Sequence, residues 1–281
     1  MMKTRTSLYY VAILISAISG CHAGTQPQTI QLMPNQGKMP CNVVTNLDGK
    51  KNIFALTIPE TIGCREGMLL NFPETDLAWE GPDADGVVRT GWTKDSVISY
   101  SLELVPGRDF VDAVMVITNL SKDNWEDVWS FNCLNPVKAP AFRDEQLDRT
   151  YMSTPAGPKP LSATERTIGP RPGIGVYFSE RMGADEYWPF ISGFQATSPE
   201  RTNGDYLLTM SSSGHTYMAA TSPRTLYLFN NLEFTCIHAA PTFGDIPSGG
   251  TSSLTCRFYL AEGDMQDFFQ RFKRDLKKLG N

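Results

Sequence analysis

The chain has 281 residues, 41% of them hydrophobic, an ordinary composition for a globular protein and enough for one large domain or two small ones. It carries 25 basic and 30 acidic residues for a net charge of −5, and removing Lys3 and Arg5 with a cleaved leader leaves 23 against 30, or −7. An acidic surface repels phosphate backbones, so nucleic acid is not an expected partner.

The chain opens with MMKTRTSLYYVAILISAISGCHA, residues 1–23. Lys3 and Arg5 form a positive start, and the apolar run from Leu8 to Ile18 is too short to cross a bilayer, which is the pattern of a signal peptide. The tetrad Ile18-Ser19-Gly20-Cys21 resembles the lipobox of bacterial lipoproteins. That resemblance implies a signal peptide over 1–20, a lipidated Cys21 at the mature N-terminus and a membrane partner held through several acyl chains. His22, standing where an Asp would retain such a protein at the inner membrane, implies outer-membrane sorting. The alternative, cleavage after Ala23, leaves a periplasmic or secreted protein. Residues 21–40 are rich in Gln, Pro and Gly and read as a flexible tether.

From 41 to 281 the dominant signal is short strands between turn residues, which predicts a single all-β domain, a large antiparallel β-sandwich. SVISYSLELV (96–105) alternates, PGRD turns it, and FVDAVMVITNL (110–120) returns with Val111, Ala113, Met115 and Ile117 on one face. WEDVWSFNCL (125–134), GIGVYF (173–178) and WPFISGF (188–194) are further strands. The Pro-rich stretch 135–175 is too long for a hairpin loop and reads as a polar insertion carrying Arg143, Arg149 and Arg171 as candidate ligand-binding residues. The last third is a meander with strands at 205–210, 215–221, 225–231, 232–239 and 252–260, with PTFGDIPSGG as the loop before the last. One helix closes the chain over 264–279. Asp264 caps it, and Met265, Phe268, Phe269, Phe272, Leu276 and Leu279 form an apolar stripe at helical spacing. Its basic residues suit the helix C-terminus and a solvated face.

Strand rhythm and chain length over roughly 41–261 resemble the galactose-mutarotase-like supersandwich, which implies a sugar-active scaffold without assigning any residue a role. The segments FNCLNP (131–136) and CIHAAP (236–241) resemble those of a family of exported bacterial proteins, a resemblance that carries no function.

Five cysteines remain after Cys21, and an odd number leaves at least one thiol free or paired between chains. If 232–239 and 252–260 form a hairpin, Cys236 and Cys256 share its apolar side and face each other as a candidate disulfide. His238 then sits at the sheet rim as the candidate acid or base, with Glu233 and Asp245 as carboxylates nearby. No metal or other cofactor is expected. Cys236-x-His238 lacks a second pair at metal-ligand spacing, and Cys133 is the only available third ligand. A Cys133/His238 catalytic pair would need tertiary contact. Nucleophile-elbow, phosphate-loop and dinucleotide motifs are absent. Trp125 and Trp129, on one face by period two, with Asn132 opposite and Asn231 at a strand end, suggest rings and amides that grip a sugar. The expected function is therefore a cell-envelope lipoprotein that binds a carbohydrate or similar small polar ligand. The alternatives are a carbohydrate-active enzyme (epimerase, lyase or hydrolase) using His238, and a structural envelope protein.

Overall fold

The computed structural model describes residues 30–71, 77–167, 169–182, 194–204 and 206–279. The leader, the lipobox, residues 21–29 of the tether and most of the strand expected at 188–194 lie outside the described residues. Seventeen strands among the described residues form two antiparallel sheets. The first sheet holds β1 (Gln31–Pro34), β2 (Cys41–Leu47), β3 (Lys50–Cys64), β4 (Gly67–Asn71), β9 (Trp125–Lys138), β12 (Ile174–Phe178), β15 (Thr225–Asn231) and β16 (Cys236–Ile246). Its order is β1-β2-β3-β9-β16-β15-β12, with β4 hairpinned onto β3. The second holds β5 (Trp79–Glu80), β6 (Val88–Lys94), β7 (Ile98–Pro106), β8 (Phe110–Asn119), β10 (Thr150–Thr154), β11 (Gly157–Pro160), β13 (Tyr206–Met210), β14 (Thr216–Thr221) and β17 (Thr251–Glu262). Its order is β11-β10-β13-β14-β17-β8-β7-β6-β5. The all-β sandwich with one C-terminal helix is thus the observed fold.

Alternation explains the packing. The β7–β8 hairpin pairs as its sequence predicts, and Val111, Ala113, Met115 and Ile117 point into the core between the sheets. Val43, Phe54, Leu56, Leu134, Phe258 and Leu260 meet them there. Outside the second sheet lies α1 (Met265–Leu279). Asp264 caps it, its carboxylate accepting the backbone N–H of Gln266 at 2.7 Å and of Asp267 at 2.9 Å. Phe268 and Phe272 bury the helix stripe against Tyr206, Tyr217 and Tyr259. The basic side of α1 is not wholly solvated: Arg271 pairs with Asp109, and Asp275 joins Arg257 (3.0 Å) in a buried cluster.

Several expectations change. β1 occupies part of the expected tether, because Ile30 and Leu32 find room in the core. The stretch 135–175 is largely built structure: β9 runs on to Lys138, and β10 and β11 form an edge hairpin of the second sheet. Leu232 to Thr235 is a turn, with Thr235 at φ +53°, so the strand begins at Cys236 and absorbs most of the expected loop. The segment 247–250 carries the chain from one sheet to the other rather than closing a hairpin. Consequently Cys236 pairs within the first sheet and Cys256 within the second, and both thiols are free, so the Cys236–Cys256 disulfide is absent.

Candidate functional site

The outer face of the first sheet carries a second apolar cluster, separate from the central core. Period two places Phe131, Cys133 and Asn135 of β9 on this face, beside Cys236 and His238 of β16 and Phe229 and Asn231 of β15. Register aligns them into a row across four strands: Thr57 of β3 faces Cys133, Cys133 faces His238, and His238 faces Phe229. Above the row opens a cleft of about 570 Å³. Asn42, Asn135, Asn231, Glu60 and Arg171 give it polar walls, and Phe131, Phe194, Phe229 and Phe234 give it ring surfaces. Phe234, in the turn before β16, is 60% exposed.

Glu60 reaches the row through a break in the sheet. Between Thr57, opposite Cys133, and Thr61, opposite Phe131, β3 holds two residues more than β9. Pro59 sits in this bulge, where it has no N–H to give the ladder. The bulge swings Glu60 over the row, and its Oε2 lies 3.5 Å from Nε2 of His238.

His238 is held from all sides. Its ring stacks on Phe131 at 4.4 Å with a 2° tilt and meets Phe229 edge-on at 5.0 Å. Nδ1 lies 3.3 Å from the carbonyl oxygen of Phe229, which only accepts, so Nδ1 carries a hydrogen and Nε2 faces the cleft. Nε2 is also 3.8 Å from Sγ of Cys236. The Nε2 of His238 and the two sulfurs of Cys133 and Cys236 all lie within 4.8 Å of one another, and all three residues are buried.

These groups set one another's protonation. The hydrogen bond from Cys133, and then the imidazole of His238, outweigh burial and hold the Cys236 thiol below its ordinary value. Cys133, which donates that hydrogen bond and is buried, is raised well above its own. Burial works against an imidazolium at His238, but Cys236 and Glu60 overcome it and raise His238. Burial likewise opposes the Glu60 carboxylate, and the charge on His238 overcomes it, lowering Glu60. These directions favour a thiolate at Cys236, an imidazolium at His238 and a carboxylate at Glu60, beside a thiol at Cys133. Such a set can move a proton, hold a cation, or present a nucleophilic sulfur.

The structure sorts the sequence candidates. His238, Asn231 and Arg171 line the cleft. Glu233 stands at its rim, paired with Arg171 at 2.6 Å and exposed, so it orients Arg171 rather than facing His238. Asp245 is exposed at the far end of β16, where it accepts the backbone N–H of Asp127 at 2.9 Å. Arg143 is exposed away from the cleft, and Arg149 donates to the backbone carbonyls of Ala141 at 3.1 Å and of Met210, at the end of β13, at 2.8 Å. Trp125 and Trp129 do not share a face. Asp127, at φ +46°, bulges β9 between them, sending Trp125 into the central core and Trp129 into the outer cluster. Trp129 lies over Gly63, where a Cβ would come within 2.4 Å of the indole, so it is a packing residue. Asn132, on the opposite face from Trp129 and Phe131, points inward to Cys256, 3.7 Å away.

Glu60, Asn42, Asn135, Phe194 and Phe229 are the cleft residues that sequence reasoning passed over. Pro59 inside a strand-like run was the one signal of a bulge that could have pointed to Glu60.

No family model and no curated protein matches the chain. Among solved structures it is similar to a galactose mutarotase related enzyme from Lactobacillus acidophilus, at 8% identity and TM-score 0.47, over 84% of this chain and 98% of that one. It is also similar to a galactose mutarotase-like protein from Lactobacillus casei, at 11% identity and TM-score 0.43, over 83% of this chain and 100% of that one. A third, a galactose mutarotase-like protein from Clostridium acetobutylicum, has 8% identity and TM-score 0.43, over 83% of this chain and 98% of that one. Likeness at this level assigns no role to any residue, so what the protein does rests on the side chains of the cleft.

Proposed function

We propose that the protein is an exported lipoprotein that binds a carbohydrate or a similar small polar ligand in the cleft above His238. The observation that carries this reading is the composition of the cleft. Ring faces suit the C–H faces of a pyranose, while three asparagines, Glu60 and Arg171 offer donors and acceptors for hydroxyls around them. The volume of about 570 Å³ falls in the range of small-molecule sites. The lipobox tetrad ending at Cys21 supports anchoring to the outer membrane through the N-terminal lipid.

A second reading, an enzyme that moves a proton on a bound sugar, is favoured by the 3.5 Å approach of Glu60 to His238. An imidazole and a carboxylate at that distance can pass a proton between them and a ligand hydroxyl or C–H. Titration calorimetry of the mature chain with galactose, glucose and galacturonate separates the cases. Saturable binding of one of them, weakened at least tenfold by Phe234→Ala together with Asn231→Ala, supports the binding reading. Folded protein that binds none of the three, or binds equally well in the double variant, overturns it. Anomer interconversion or another turnover of the bound sugar, lost in Glu60→Gln, moves the assignment to the second reading.

A further inference from the structure

We propose that Cys133, Cys236 and His238 form a zinc site whose open fourth position faces the cleft. The inference stands on the ligand set alone and does not depend on what the cleft binds.

The three donors come from two adjacent strands, and the sheet itself sets their spacing. Cys133 is the direct cross-strand partner of His238, and Cys236 lies two residues before His238 on the same face. Their donor atoms lie within 4.8 Å of one another, and Sγ of Cys236 is 3.8 Å from Nε2 of His238. Zinc bound at about 2.3 Å from sulfur and about 2.0 Å from nitrogen in a tetrahedron spaces such atoms about 3.5–3.8 Å apart. From separations of no more than 4.8 Å, the cluster needs to contract by at most about 1.3 Å to close on an ion.

Three features go beyond proximity. Nδ1–H of His238 is held by the carbonyl of Phe229 at 3.3 Å, and this is the outer contact that fixes a ligating histidine with Nε2 free. Phe131 and Phe229 lock the ring plane, so no rotation is left to freeze on binding. The two thiols are free and buried, and both sulfurs face the histidine, not the apolar core. Two thiolates, one imidazole and a fourth position open to solvent or substrate form the donor pattern of a catalytic rather than a structural zinc. Soft sulfur also suits Cu(I), but the hard Glu60 carboxylate 3.5 Å from Nε2 of His238 does not, which favours zinc.

The test uses the full mature chain, reduced, stripped with a chelator and titrated with Co²⁺ as the spectroscopic stand-in for Zn²⁺. The expected result is one equivalent of Co²⁺ giving thiolate charge-transfer absorption and tetrahedral d–d bands, displaced by one equivalent of Zn²⁺. Cys133→Ser and Cys236→Ser should each weaken binding by more than about 100-fold, beyond what loss of an outer contact does. Cys256→Ser, whose sulfur lies in the other sheet, should leave the spectrum unchanged, and circular dichroism confirms that each variant is folded. If a serine variant does not fold, blocking of two thiols in the wild type by one equivalent of Zn²⁺ reports the same ligands. Reduced wild type without a cobalt–thiolate band, or a band that survives loss of both cysteines, overturns the proposal.

Discussion

Glu60→Gln isolates the electrostatics of the site, because the amide keeps the shape of the side chain and removes its charge. Oε2 of Glu60 is 3.5 Å from Nε2 of His238, and two unit charges at that distance attract by about 5 kcal/mol at an effective dielectric of about 20. Solvation reduces this, since the side chain of His238 is 3% exposed but that of Glu60 is 33% exposed. Exposed pairs contribute about 0.2–1 kcal/mol and broken buried ones cost about 3–5, so a half-open pair belongs near 2 kcal/mol. That corresponds to a fall of about 1.5 units in the pKa of His238. The assay is an NMR titration of the imidazole protons in reduced, chelator-treated protein. Denaturant melts across pH give the matching stability change. His238 titrates above its unfolded value, so its contribution is whole below that value and fades as pH rises through the folded one. Glu60 titrates below its unfolded value, so its contribution is whole above that value and fades as pH falls through the folded one. The gap between wild type and variant should therefore be widest near neutrality and close towards both acid and alkali. A wild-type His238 that titrates at or below the ordinary imidazole range, or one that Glu60→Gln leaves unmoved, would refute the charged cluster.

In reduced, metal-free protein, iodoacetamide should alkylate Cys236 with a half-point below the ordinary thiol value of about 8.5, and His238→Gln should move that half-point up; an ordinary half-point in the wild type contradicts the thiolate. Phe268→Ala should cost about 3–5 kcal/mol in urea melts, because a fully buried ring between Tyr206, Tyr217 and Tyr259 is lost; a loss under about 1 kcal/mol would mean that α1 is not docked. Cys21→Ser should abolish incorporation of labelled fatty acid and release the exported protein from the membrane fraction, and normal labelling would sink the lipoprotein assignment.

Local pattern reached some elements and stopped at others for identifiable reasons. The β7–β8 hairpin was legible because Val111 to Ile117 alternate cleanly and PGRD turns the chain. α1 was legible because six apolar residues recur at helical spacing behind a capping Asp264. The Trp125 and Trp129 pair misled, because one bulge residue, Asp127, shifts the alternation by one and sends the two rings to opposite faces of the sheet. Cys236 and Cys256 misled because four residues between strands look alike whether they close a hairpin or cross between sheets.

By itself, the sequence determined the class of fold, the strand rhythm, the closing helix and that Cys236 and His238 share a face, since each depends on residues close together in the chain. Only the tertiary structure decided which strands lie side by side. The order β3-β9-β16 joins segments far apart in sequence, through long-range pairings that no local period encodes. That order makes Cys133 the neighbour of His238, and the bulge at Pro59 brings Glu60 over both, so the cluster exists only after the sheet has formed.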